Sequence, residues 1–278
     1  MGEGAALLAV AGITDSALDS ERLLRHVLGW DRADLITRGS EAVPLPAAEL
    51  FREAIRQRAR RRPLQHLTGI QAFWRHEFLV TPDVLIPRPE TELLVEEALR
   101  LLRDVPSPVV VDVGTGSGCI ALSLAAERPD ARVHATDVSA AALRIARANA
   151  RRLHLESRVR LHEGDLLDPL APLAGTIDLV VSNPPYVTPD ATPGLAPEVR
   201  DHEPRAALVP AEGVGPLYAR LFRQAASVLR PGGPVVVELG QGQDGEVARL
   251  AAEAGLTVTA VRPDLQGIAR VLVATRTT

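Results

Sequence analysis

Val109-Val110-Val111-Asp112-Val113 reads as a strand buried on both faces, and it runs directly into Gly114-Thr115-Gly116-Ser117-Gly118. A strand without polar alternation needs cover on both sides, which helix-flanked parallel sheets supply. The glycines allow the chain to turn tightly and to approach a ligand closely at the start of a helix, expected over residues 119–127. The same alternation continues downstream. Strands are predicted over residues 133–137, 159–162, 177–181 and 235–239, and helices after Ser139 and over residues 217–229. Two closing strands, 256–261 and 269–275, are joined by only seven residues, Arg262 to Ile268. Parallel strands need a longer crossover, so the sheet is expected to end in an antiparallel edge. The class is α/β, a doubly wound Rossmann-like sheet.

The first part of the chain has a different texture. Leu18, Leu23, Leu24, Val27 and Leu28 recur at helical spacing, and a second helix is predicted over residues 46–62. Arg52, Arg56, Arg58, Arg60, Arg61 and Arg62 mark what reads as its solvated face, with docking to an acidic or phosphate-bearing partner as the functional alternative. The segment 63–69 breaks that helix, and a hairpin is expected to pair Phe73–Trp74 with residues 78–80. Pro87 and Pro89 then hold Arg88 on a stiff extended segment, and Thr91 is placed to cap a helix over residues 92–102. The resulting division is a helical domain over 1–72, a hairpin and linker over 73–92, and a catalytic domain over 93–278.

The single Cys119 excludes an internal disulfide framework and fits a reducing compartment. The N-terminus lacks the basic lead of a secretory signal, and no apolar run is long enough to span a bilayer. A net charge of −4 gives no global attraction to nucleic acid or anionic membrane. No Cys/His metal spacing is present. The expectation is a cytoplasmic, monomeric enzyme without metal.

Three features converge on the carboxyl edge of the predicted sheet, where open α/β sheets bind ligands. The first is the glycine loop 114–118. The second is Asp137, which ends the second strand at a spacing suited to ribose hydroxyls, or alternatively caps a helix. The third is Asn183-Pro184-Pro185-Tyr186, directly after the fourth strand. Two prolines hold the Asn183 amide rigidly, in a way that suits recognition of a planar amide or amine. A dinucleotide fingerprint would need glycine where Cys119 stands, so the loop with Asp137 and the Gly164-Asp165-Leu166 turn favours S-adenosylmethionine over NAD. The proline-rich stretch 187–216 reads as an irregular loop serving as a lid or partner-facing rim.

Asp112-Val113-Gly114-Thr115-Gly116-Ser117-Gly118 together with Asn183-Pro184-Pro185-Tyr186 resembles the class I S-adenosylmethionine-dependent methyltransferases that modify planar nitrogen. Segments 63–69, 85–92, 198–205 and 264–270 narrow the resemblance to the HemK/PrmC family, the protein-(glutamine-N5) methyltransferases of peptide chain release factors. The resemblance implies methyl transfer to the glutamine amide of a release factor's Gly-Gly-Gln motif, leaving S-adenosylhomocysteine. It implies that the helical domain binds the release factor. It places Asn183, Pro184, Pro185 and Tyr186 at the substrate amide, and Gly114, Thr115, Gly116, Ser117, Gly118, Asp137, Asp165, Leu166 and Asn183 around the cofactor. In that role the Asn183 oxygen and the Pro184 carbonyl accept the substrate N–H groups, and the Asn183 NH₂ donates back to the substrate carbonyl. The same tetrapeptide also serves adenine-N6 DNA and guanine-N2 rRNA methyltransferases, but the acidic charge and the lack of a further reading domain disfavour them.

Overall fold

The computed structural model describes residues 1–277. The chain begins with helices α1 (Gly2–Val10), α2 (Ser16–Leu28), α3 (Arg32–Arg38), α4 (Leu45–Ala59) and α5 (Leu64–Thr68), then strands β1 (Ile70–Phe73) and β2 (His76–Leu79) and helix α6 (Glu92–Leu101). It continues with β3 (Val109–Val113), α7 (Cys119–Glu127), β4 (Arg132–Asp137), α8 (Ala140–Arg152), β5 (Val159–Glu163) and β6 (Leu179–Ser182). Short helices α9 (Pro197–His202) and α10 (Arg205–Leu208) precede α11 (Val214–Val228), β7 (Pro234–Glu238), α12 (Asp244–Glu253), β8 (Leu256–Pro263) and β9 (Ala269–Arg276). Two compact units result: Met1–Ile70 with Leu195–His202, and the remainder.

The first unit is helical. Leu8, Ile13, Leu23, Ile55 and Leu64 form its buried cluster. Helix α1, unmarked by any predicted periodicity, reaches this core through Gly4, where a Cβ would meet Ser20 Oγ at 2.8 Å and Phe51 Cζ at 2.9 Å. Helix α3 is also new; Asp31 and Asp34 cap it reciprocally, each accepting from the other's backbone N–H. Residues 63–69 do not simply break the preceding helix: Leu64–Thr68 makes one further helical turn and ends at Gly69 in the left-handed region. The reading of the arginines as a solvated face fails at Arg58. It is 8% exposed and donates to Asp19 Oδ2 at 2.7 Å and to Glu198 Oε1 at 2.9 Å. Arg61 reaches the other oxygen of Glu198 at 2.8 Å. Two carboxylates make burial of the guanidinium tolerable.

The second unit holds a seven-stranded sheet in the order β5-β4-β3-β6-β7-β9-β8. The first five strands are parallel, β9 runs antiparallel to β7, and β8 antiparallel to β9. This is the expected class I methyltransferase architecture with an antiparallel edge. Alternation along β3 sends Val110 to one face, with Leu122, Val133 and Val181, and Val111 and Val113 to the other, with Tyr218, Phe222 and Val237. Both faces are therefore covered, as the unbroken valine run requires.

The hairpin forms earlier in the chain than expected, with β1 ending at Phe73 and β2 ending at Leu79. Trp74 lies in the turn at φ 55° and its indole donates to Glu127. Residues 187–216 are not an irregular loop; 3₁₀ turns and α9 and α10 occupy much of the stretch, and Glu203 within it is buried. Helix α11 begins at Val214, earlier than predicted, because Pro216 falls in its first turn where a missing N–H costs nothing. Helix α12 was unforeseen.

Candidate active site

Four neighbouring parallel strands end at one level, and their register assembles the site. Val113 lies opposite Thr136 on one side and Ser182 on the other, and Ser182 lies opposite Val237. The next residues along these strands are Asp137, Gly114, Asn183 and Glu238, side by side at the carboxyl edge. The three sequence features that were expected to meet there do meet, and a fourth strand end joins them.

Gly114, Gly116 and Gly118 all have positive φ, at 71°, 56° and 83°. Gly114 and Thr115 both donate to the Thr136 carbonyl, at 2.9 and 3.0 Å, which bends the loop over the neighbouring strand. A Cβ on Gly118 would press on Leu122 and Ala146 at 3.0 and 3.3 Å, so that glycine serves packing. At Gly114 and Gly116 a Cβ would meet no atom within 4 Å. Open space above a loop at a helix N-terminus is what a bound cofactor requires. Thr115 and Ser117 face inward and are buried; the Thr115 hydroxyl donates to Asp112 Oδ2 at 2.6 Å.

Asp112 is fully buried, and its Oδ1 has no hydrogen-bond partner among the described residues. Burial pushes its carboxyl up to about 7, against the opposing bonds from Thr115 and the Ala121 N–H. The unfolded chain ionises this group near 3.8, so folding takes up a proton between the two values. Its contribution to stability is fully present below about 3.8 and is lost as pH rises through about 7. Replacing Asp112 with Asn is expected to flatten this part of the profile, measurable as the difference in melting temperature between pH 5 and pH 8 for the two proteins.

Asp137 braces the loop. Its Oδ2 accepts from the Gly116 N–H at 2.8 Å and its Oδ1 from the Ser139 N–H at 2.9 Å. Burial raises its pKa and these two bonds oppose the rise. Each oxygen keeps a further lone pair for a ribose hydroxyl. The helix cap itself falls to Ser139, whose hydroxyl accepts from Ala142 at 3.1 Å. The turn after β5 comes beside this acid, with the Gly164 N–H donating to the Asp137 carbonyl at 3.0 Å. Leu166 in that turn has φ 46°. Asp165 pairs with both terminal nitrogens of Arg220, which also reaches Glu212 at 2.6 Å.

On the substrate side, Asn183 Nδ2 donates to Thr91 Oγ1 at 3.1 Å. Thr91 in turn donates to Glu238 Oε2 at 2.7 Å, and the Tyr186 hydroxyl donates to Glu238 Oε1 at 3.1 Å. Tyr186 is further held through its carbonyl, which accepts from Gln243 Nε2 at 2.9 Å. Burial, with Glu238 nearby, raises the Tyr186 pKa, so the phenol stays a neutral donor. Thr91 makes no capping hydrogen bond, contrary to expectation, because its hydroxyl is spent on Glu238. One Asn183 N–H is thus committed inside the protein, while no donor among the described residues reaches its Oδ1. The stiff segment before α6 is pinned from Glu203, which accepts from the Ile86 N–H at 3.1 Å and from Arg88 at 2.5 Å.

The sequence reading missed Thr91 and Glu238 as parts of this site. Glu238 carried a usable signal: it ends an apolar strand with an acid, as Asp137 does. Thr91 carried none beyond its place before a helix. Among the described residues no group of three or more His, Cys, Asp or Glu is arranged to hold a metal ion.

The PrmC N-terminal domain family matches residues 2–69, and the methyltransferase small domain family matches residues 90–198. The release factor glutamine methyltransferase of Cereibacter sphaeroides is 44% identical over 260 residues, 94% of this chain and 91% of the relative. That of Moorella thermoacetica is 44% identical over 277 residues, 99% of this chain and 97% of the relative. A crystal structure of a methyltransferase from Pyrococcus furiosus shares the fold at a TM-score of 0.51 and 19% identity, covering 72% of this chain and 89% of that one.

Proposed function

The chain belongs to the family of release factor glutamine methyltransferases, and from that premise we propose that it transfers a methyl group from S-adenosylmethionine to N5 of the glutamine in a release factor's Gly-Gly-Gln loop. The observation that carries the reading is the Asn183 amide, held at the end of β6 by Thr91 with its Oδ1 left free to accept. Bound S-adenosylmethionine supplies an electrophilic methyl on its sulfonium. An amide nitrogen is a poor nucleophile because its lone pair is delocalised into the carbonyl. Accepting one substrate N–H at Asn183 Oδ1 and the other at the Pro184 carbonyl fixes the nitrogen's direction and restores lone-pair character. Pro184 and Pro185 keep that pair of acceptors rigid, and Tyr186 walls the planar group. Positioning of this kind contributes up to about 7–11 kcal/mol in favourable systems.

The open space over Gly114 and Gly116, with the spare lone pairs on Asp137, fits the cofactor. Gly114, Thr115, Gly116, Ser117 and Gly118 would hold its amino-acid end, Asp137 its ribose, and Asp165 with Leu166 its adenine, beside Asn183. Replacing Asp137 with Asn keeps the shape but removes the charge that two backbone N–H groups and a ribose share. We expect S-adenosylhomocysteine to bind about tenfold more weakly or worse, since charge-assisted hydrogen bonds contribute about 1.5–3 kcal/mol; titration calorimetry measures it directly.

The helical unit, read as a domain over residues 1–72, is assigned to release-factor binding, residues 73–92 to the linker and 93–278 to catalysis. The enzyme is placed in the cytoplasm as a monomer that acts on protein and not on nucleic acid. No helix among the described residues is long and apolar enough to cross a membrane. The decisive test is mass spectrometry of a purified release factor incubated with enzyme and cofactor. One added methyl on the Gly-Gly-Gln glutamine is the expected result; an unmodified factor alongside methylated DNA or rRNA overturns the reading.

A further inference from the structure

We propose that Glu238, acting through the Thr91 hydroxyl, is a positioning residue that sets which end of the Asn183 amide faces the substrate glutamine. The proposal rests on the methyl-transfer reading and adds to it the device that orients the acceptor.

A threonine hydroxyl has one proton to give. Thr91 gives it to Glu238 Oε2, at 2.7 Å, so toward Asn183 it presents only a lone pair. That lone pair accepts the Nδ2 proton of Asn183 at 3.1 Å and leaves Oδ1 on the opposite side of the amide. A turned amide would set Oδ1 against the Thr91 oxygen, acceptor against acceptor. Tyr186, by donating to Oε1 at 3.1 Å, holds Glu238 in the accepting role from its other side. The three residues are 92 and 147 positions apart in pairs, so the relay belongs to the fold and not to a local turn.

Protonation of Glu238 reverses the relay. A carboxylic O–H at Oε2 donates to Thr91, which frees the threonine proton for Asn183 Oδ1. The amide then turns its NH₂ toward the substrate, donor against donor, and the nitrogen is no longer oriented. Glu238 is 2% exposed, and burial pushes its carboxyl up to about 7, opposed by Thr91, Tyr186 and Arg270 and helped by Glu90. The groups that face it are Tyr186 after β6, Arg270 on β9, Glu90 before α6, Cys119 at the start of α7, and Tyr218 of α11, whose hydroxyl donates to the Glu238 carbonyl at 2.5 Å. Cys119, pushed up to about 12 by burial, and the two tyrosines stay neutral through the neutral range, and Arg270 stays charged. Among the groups that face it, Glu238 is therefore the one that changes state near pH 7.

The test compares wild type, Thr91→Val, Thr91→Ser and Glu238→Gln in steady-state methylation of a release factor, with S-adenosylhomocysteine affinity measured by calorimetry. Thr91→Val is expected to lower kcat by about 10–100-fold, the order associated with small misplacement of a reacting group, and to leave cofactor affinity within about twofold. Thr91→Ser is expected to restore kcat. In Glu238→Gln the amide oxygen can still accept from Thr91 but the group no longer titrates, so the acid limb of the wild-type pH profile near 7 is expected to disappear. Wild-type kcat in Thr91→Val, a fall in kcat matched by lost cofactor affinity, or an unchanged acid limb in Glu238→Gln overturns the relay. Should Thr91→Val not fold, the Glu238→Gln profile decides alone. Failure of wild type itself to methylate the glutamine overturns the functional reading instead, so the two failures are distinct.

Discussion

Replacing Asn183 with alanine is expected to reduce kcat for release-factor methylation by about 10²-fold or more while S-adenosylhomocysteine affinity stays within a few-fold of wild type. The variant removes the acceptor Oδ1 and leaves the Pro184 carbonyl as the sole guide for the substrate nitrogen. Loss of alignment by about 1 Å is enough for a 10²-fold penalty. The glycine loop and Asp137, tied to each other at 2.8 Å, do not depend on the Asn183 side chain. Single-turnover methylation followed by mass spectrometry, beside calorimetry with S-adenosylhomocysteine, separates the two effects. Asn183→Asp is not expected to rescue. It restores an acceptor but sets a second one against Thr91, whose proton is already given to Glu238. Turnover near wild type in Asn183→Ala would remove Asn183 from the mechanism.

The second large effect lies in the helical unit. Arg58→Ala strands Asp19 and Glu198, whose side chains are 10% and 17% exposed, without their shared cation. Removing one partner of a buried ion pair costs about 3–5 kcal/mol, because the remaining charge stays desolvated. Burial alone would push the Glu198 carboxyl up, yet the hydrogen bonds from its own backbone, Arg58 and Arg61 hold it below its ordinary value. For a small domain each 1 kcal/mol moves the melting temperature by about 4–8 °C, so a loss of this size is expected to lower it by about 12 °C or more. Circular dichroism melting checks it, with Arg56→Ala as the control: that arginine pairs with Glu53 on the surface at 60% and 48% exposure. Equal melting curves for Arg58→Ala and wild type would show the buried triad to be energetically neutral.

What was legible in the chain followed from how far its physics reaches along the backbone. Strand β3, the glycine turn and α7 were read almost to the residue because burial on both faces and positive φ leave local marks. The helix start at Ser139 was legible because its cap is local, the hydroxyl accepting from Ala142 three residues on. Helix α1 left no mark because only Gly4 and Leu8 of it are buried, and a glycine signals close approach only once a neighbour is present. Helix α3 is one of seven residues, too short for a period to show. Arg58 and the arginines around it look alike in sequence; only the placement of Asp19 and Glu198 separates a buried ion pair from a solvated face.

Composition and motif order determined the α/β class, the antiparallel edge, and the meeting of the glycine loop, Asp137 and Asn183 at one edge, since all of these follow from local periodicity and turn chemistry. The tertiary structure alone decided which partner each polar side chain takes. Thr91 reads locally as a helix cap, yet its hydroxyl serves a carboxylate 147 residues away, and the Asn183 amide takes its direction from that bond. Strand register brings Asn183 beside Glu238, and register is set by the packing of whole faces, not by any neighbour in the chain.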